Sequence, residues 1–182
     1  MNYKSKLLIA SPALLDPNFC QTVVLVLNGD DEETFGIILN RQSERRIEEI
    51  WEQIFETPCR TKQLIHLGGP VFGPLIALHT AEAFADAEVL PGLYFSTQKE
   101  SIEAVVGETQ HSFRLYIGGA GWGKKQLQAE IQQGAWFLIP ATVGDAFDDP
   151  TEMWKKTLDR AGREMLSSML HQKILPEDPT LN

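Results

Sequence analysis

The sequence predicts an α+β domain in which a mostly antiparallel, strongly curved sheet carries flanking helices. Three observations lead there. Short apolar runs outnumber helical patterns and follow one another in hairpin order. Helical patterns stand after and between them, the clearest over residues 47–55. Glycine clusters at 68–69 and 118–123 supply the backbone freedom that a sharp bend in a sheet demands. The 182 residues suffice for one domain with its own core, and no repeat, low-complexity tract or linker divides them. Residues 1–175 are read as that domain and 176–182 as a frayed tail.

Residues 7–10 read as a short strand, and 11–19 as an irregular turn carrying Pro12 and Pro17. Residues 22–27 are apolar and β-branched, which fits a buried strand. Asn28-Gly29 and the acidic run 30–33 form a polar turn, and 35–39 return as the second strand of a hairpin. Ile47, Ile50, Trp51, Ile54 and Phe55 recur at helical spacing, while Glu48, Glu49 and Glu52 take the wet face. An amphipathic helix follows, ended by Pro58. Residues 63–67 and 75–79 read as strands around Gly68-Gly69-Pro70, and 93–96 as another. Thr97 with Glu100 fits a capping box, so a helix is expected over 98–106 with Gly107 as its stop. Residues 112–117 form a strand leading into the glycine cluster. Residues 126–133 form a helix stopped by Gly134, and 135–139 a strand ended by Pro140. Asp149 as cap, Pro150 at the first helical position and Glu152 three residues after the cap mark a helix start. That helix is expected to run through Trp154 and Leu158 towards Gly162, with a further helical segment over 163–171.

Sixteen basic against 25 acidic residues give a net charge of −9. This balance favours solubility and argues against nucleic acid or anionic lipid as a partner, because Lys and Arg carry phosphate binding. The short basic clusters, Arg41 with Arg45-Arg46 and Lys124-Lys125, read as solvated surface. Cys20 and Cys59 form neither CxxC nor a zinc pattern and read as free thiols. The apolar stretch near the N-terminus is too short to span a membrane and has no cleavage pattern. The expected location is cytoplasmic, with no membrane partner.

Gly118 to Gly123 followed by Lys124 approaches the phosphate-loop pattern GxxxxGK. Lys125 stands where that loop needs Ser or Thr, no magnesium-holding carboxylate follows, and Trp122 would crowd the phosphates. A structural strand-to-helix turn is the expected role. His66, His79, His111 and His171 lack metal-ligand spacing, and no GxSxG elbow is present. His66 and His79 flank the Gly68 turn and are placed to approach each other across a hairpin. They read as hydrogen-bonded structural histidines, with a ligand or base role as the alternative. The acidic residues 145, 148, 149 and 152 lack the calcium-loop pattern. No metal or cofactor is expected. Asp16-Pro17-Asn18 reads as a turn anchored by Phe19. Asn40-Arg41 either binds an anion or ties its loop to neighbouring carbonyls, and tying is the favoured reading.

Several motifs occur together in a characteristic order: Leu14-Leu15-Asp16-Pro17-Asn18-Phe19 with Thr22-Val23-Val24, Gly36 with Asn40-Arg41, Gly68-Gly69-Pro70-Val71 with Leu78-His79, Ala120-Gly121-Trp122-Gly123 with Gln126-Leu127, and Ala135-Trp136. With them the chain resembles the AlgH/YqgE family of bacterial proteins over roughly residues 6–160. The resemblance implies a sheet bent into a partial barrel and a link to transcriptional regulation of exopolysaccharide synthesis. It implies no catalytic residue. Gln42, Phe72 and Lys124-Lys125 depart from the family pattern.

The expected function is a regulatory module that binds a small ligand or a partner protein where the motif loops meet. Its candidate residues are Asp16, Asn18, Asn40, Arg41, His79 and Trp122, which lie at element ends, where sites are commonly built. A hydrolase-like enzyme using His79, Asp16 and Thr97 is one alternative. A DNA-binding regulator is another, opposed by the acidic charge and the lack of a helix-turn-helix pattern. A purely structural reading also stands: the glycines let the sheet bend while Trp122 and Trp136 fill the corner.

Overall fold

A computed structural model describes residues 2–29, 32–59 and 61–174, of which 171–174 are described as backbone only. Among the described residues there are ten strands and five α-helices. They are β1 (Lys6–Ala10), β2 (Val23–Gly29), β3 (Thr34–Ile38), β4 (Gln42–Arg46), α1 (Ile47–Ile54), β5 (Leu64–Leu67), β6 (Val71–His79), β7 (Ala87–Leu90), β8 (Leu93–Ser96), α2 (Lys99–Gly107), β9 (Phe113–Trp122), α3 (Gln126–Gln132), β10 (Trp136–Pro140), α4 (Val143–Phe147) and α5 (Pro150–Ile174). The sheet runs β10-β1-β2-β3-β9-β6-β8-β7, with β4 on β5 and β5 on β9. Among the described residues, the strand pairs are antiparallel except β5 with β9. The sheet curls into a half-barrel, and the chain is a single α+β domain.

The long strand β9 explains the curl. Its first half pairs with β6 on one side and β5 on the other. Past Gly118, β3 takes the place of β5, through Thr34–Trp122, Phe35–Gly121 and Gly36–Ala120. Gly118 has φ +72°, in the left-handed region where glycine is free and other residues are strained. Gly68 sits at the changeover. Its N–H donates to Ile117 O at 2.8 Å, and its carbonyl accepts from the Ile38 N–H at 2.7 Å. A Cβ on Gly68 would overlap the Gly118 carbonyl, and one on Gly119 would overlap the Phe35 ring. The two glycine motifs meet each other at the point where backbones cross too closely for side chains.

Three apolar clusters fill the fold. The first lies under α4 and α5 and includes Leu7, Leu25, Leu78, Tyr116 and Met153. The second joins α1 and α2 to the sheet through Ile47, Trp51, Ile65 and Val105. The third holds Leu8, Val24, Trp122, Leu127 and Trp136. Helix α5 is pinned to β1 by the Trp154 indole N–H, which donates to Ala10 O at 2.8 Å.

Several expectations need correction. The glycine cluster is not a strand-to-helix loop: β9 continues through it to Trp122. Its backbone is occupied by strand pairing with β3 and β6, so no phosphate cradle forms. Thr97 and Glu100 do not make a capping box. The Asp86 carboxylate instead accepts from the Thr97 and Gln98 N–H groups and from the Ser101 hydroxyl, at 2.6, 2.9 and 2.8 Å. Gly162 does not end α5, which runs unbroken to Ile174, because glycine in a helix costs only about 1 kcal/mol. His66 and His79 do not face each other across a hairpin; β9 lies between their strands. Strands β4 and β7 and helix α4 went unread, being four or five residues long and weakly patterned. The expected hairpin turn at 30–31 and the tail at 176–182 lie outside the described residues.

Candidate functional site

The loop between β1 and β2 is built from backbone bonds and two clamps. Asp16 Oδ1 accepts the Asn18 N–H at 2.8 Å, an Asx turn that Pro17 pre-sets. Asp16 O accepts from Phe19 N and Cys20 N at 2.9 and 2.7 Å. Gln21 turns the chain with φ +55°. Asn40, two residues past β3, then bridges the loop's exit: its amide donates to Gln21 O and its carbonyl accepts from Val23 N, both at 2.9 Å. The Arg41 guanidinium donates to Pro17 O at 2.9 Å and to Cys20 O at 3.5 Å. Asn40-Arg41 therefore ties the loop. The guanidinium satisfies carbonyls that the irregular turn leaves over.

Beneath the loop, Phe19 packs on Trp122 and edge-on to Trp136, with ring centroids 5.8 and 5.6 Å away. The two indoles meet edge to face at 5.9 Å. Both indole N–H groups donate to one carboxylate oxygen, Glu130 Oε2, at 2.9 and 2.8 Å. Trp122 and Trp136 are each 3% exposed, so they fill the corner under the loop. Sequence reasoning passed over Glu130. Its signal was the need of two buried indoles for an acceptor, with one acidic residue on the adjoining helix.

The loop's outer face is open. Asp16, Pro17 and Asn18 are exposed, and Leu15 is 83% exposed although Leu14 and Phe19 on either side turn inward. Asp16, Asn18, Asn40 and Arg41 are thus brought together in one clamped loop, and Trp122 supports it from below.

His79 stands apart. It lies at the end of β6, and β2, β3 and β9 intervene between that strand and β1, which leads into the loop. It is fully buried, with Nε2 2.9 Å from Ser96 Oγ. The Ser96 hydroxyl donates to Phe84 O at 2.8 Å and accepts from Asp86 N at 3.2 Å. A hydroxyl has one proton, so His79 Nε2 is the donor in their bond, and the pair joins β6 and β8 to the turn at 84–86. Burial lowers the His79 pKa to about 4, against the opposing pull of the Ala81 backbone and Asp86. Burial, aided by Arg114, lowers His66 to about 4 as well. His66 lies against Tyr116, 5.1 Å between rings, and burial pushes the Tyr116 hydroxyl up to about 12. Arg114 itself closes the end of α4, donating to the carbonyls of Ala146, Phe147 and Asp148.

Among the described residues, no group of three His, Cys, Asp or Glu is placed to hold a metal. No described helix is long and apolar enough to cross a membrane.

A curled antiparallel sheet, glycine crossings at its bend and a clamped loop over a Trp pair define the class of this protein. The model of the AlgH-like family matches residues 7–166, and the chain belongs to that family. A UPF0301 protein of Thermobifida fusca is 36% identical over 97% of this chain and 93% of its own length. A UPF0301 protein of Chlorobaculum tepidum is 34% identical over 87% of each. The solution structure of AlgH from Pseudomonas aeruginosa aligns with a TM-score of 0.74 at 27% identity, covering 98% of this chain and 96% of that one. A crystal structure from Corynebacterium diphtheriae aligns at 0.72 and 25% identity, over 87% and 86%.

Proposed function

We propose that this protein is a regulatory binding module that acts through a protein partner held at the loop between β1 and β2. The observation that carries this reading is Leu15, 83% exposed at the crest of a loop whose backbone is clamped by Asn40 and Arg41. Function gathers on loops held by a rigid scaffold, and an exposed apolar side chain on such a loop is a ready anchor for a partner's recess. Asp16 beside it on a chain of net charge −9 favours a partner whose rim is basic. Leu15 and the residues after it to Asn18 stand exposed in water, whereas small molecules take enclosed concave sites, so a protein suits this loop better than a small ligand. Nucleic acid is opposed by the charge. The hydrolase reading draws no support from His79, whose Nε2 proton is committed to Ser96.

Site-specific photo-crosslinking in the source cell tests this. A photoreactive residue at position 15 is expected to trap one partner that a probe at Glu52, on the wet face of α1, does not. The purified partner should then bind the wild-type chain and lose affinity for Leu15→Asp. Identical products from both positions would defeat the proposal.

A further inference from the structure

The second half of α5 carries an apolar stripe that the described fold leaves uncovered. Met165, Leu166, Met169 and Leu170 are 48%, 62%, 57% and 59% exposed. Their spacing puts them on one side of the helix, one turn apart. Beside Met165 and Met169 a groove of about 550 Å³ opens between α5 and β10, walled also by Ala161, Phe137 and Ile139. Among its described lining residues, Glu164 alone is charged. Every residue from 162 to 170 is exposed. Helical segments without packing are marginal in water, and soluble monomers seldom display contiguous apolar patches of this kind.

We propose that this face is the contact between two copies of the chain, with the second halves of their α5 helices antiparallel about a twofold axis. Two features choose a second copy over another protein. The face carries both halves of a fit: Leu166 and Leu170 project next to a groove of matching apolar character, so each copy can seat its leucines in the other's groove. A twofold contact also brings like charges together, which a chain of net charge −9 tolerates only at a nearly neutral patch. This surface uses none of the residues of the loop between β1 and β2, so the two proposals stand or fall separately.

Sedimentation velocity of the full chain, from low micromolar to sub-millimolar concentration, tests it. A concentration-dependent dimer is expected. Met169→Glu and Met169→Lys should each weaken it about tenfold or more, as charged groups replace a central anchor. Mixing the two variants should restore association, which also shows that both have folded. A monomer at every concentration overturns the proposal and assigns the stripe to another occupant. So does a dimer indifferent to both substitutions, or a mixture that fails to recover.

Discussion

Single residues in this fold are constrained mostly by what a neighbour lacks. Glu130 is the acceptor for two indole N–H groups. Glu130→Ala would leave both buried donors unpaired, at about 2–4 kcal/mol together. A drop in urea midpoint with unchanged slope checks this, and Glu130→Gln, which keeps one acceptor oxygen, should lose less. The glycines divide in the same way. A Cβ at Gly36 would press on the Leu25 backbone at 2.5 Å, and one at Gly68 on Gly118, whereas Gly73 and Gly107 have nothing within 4 Å. Gly36→Ala and Gly68→Ala should therefore destabilise by several kcal/mol or fail to fold. Gly107→Ala, near the end of α2, should be neutral or stabilising by up to about 1 kcal/mol. Thermal unfolding of the three variants distinguishes architectural glycines from incidental ones.

At the scale of elements, α2 depends on a residue outside it. Asp86 caps the helix from the turn before β7, taking two backbone N–H groups and the Ser101 hydroxyl. These bonds hold its carboxyl below the usual range, against the opposing effect of burial. Asp86→Ala should cost about 1–2 kcal/mol and release the first turn of α2 to faster amide exchange, whereas Thr97→Val should cost little. The sequence invited the opposite assignment, because Thr97 and Glu100 have the spacing of a capping box. A local pattern was overridden by a carboxylate eleven residues upstream that β8 brings alongside, and no spacing rule reaches that far.

For the whole molecule, the two buried histidines set the response to acid. Both pKa values are lowered to about 4. The unfolded chain, with ordinary histidines, therefore takes up protons first as pH falls. The stability is fully present above about pH 6.5 and is lost as pH falls towards 4, a loss on the order of 3 kcal/mol for each histidine. Unfolding free energies at pH 7, 5.5 and 4.5 should show that decline, and His79→Gln with His66→Gln should flatten it. The same scale decides what was legible beforehand. The strands 7–10, 35–39 and 93–96 were readable as short apolar runs, the first two buried almost throughout, and helix α1 because it buries one periodic face. The tying role of Asn40-Arg41 and the anchoring of Phe19 were readable because an irregular turn must find partners for its carbonyls. The separation of His79 from the loop was not, since it follows from strand order. The passage of β9 through the glycines was not either, because Gly-rich sequence reads as a loop until the facing backbone is known. Leu15 was quoted within a motif but not singled out, as nothing in the sequence tells an inward leucine from an outward one.

The central claim is that the motif residues are scaffolding and that the crest they hold is the binding surface. The most direct test is calorimetric titration of the crosslinked partner into wild-type, Leu15→Asp and Arg41→Ala chains, each with its melting temperature. The account predicts that Leu15→Asp melts like wild type and binds about tenfold or more weakly, as loss of an anchor requires. Arg41→Ala should lose both stability and affinity, because it frees the loop. Leu15→Asp binding with unchanged affinity would contradict the account and return the crest to mere connection.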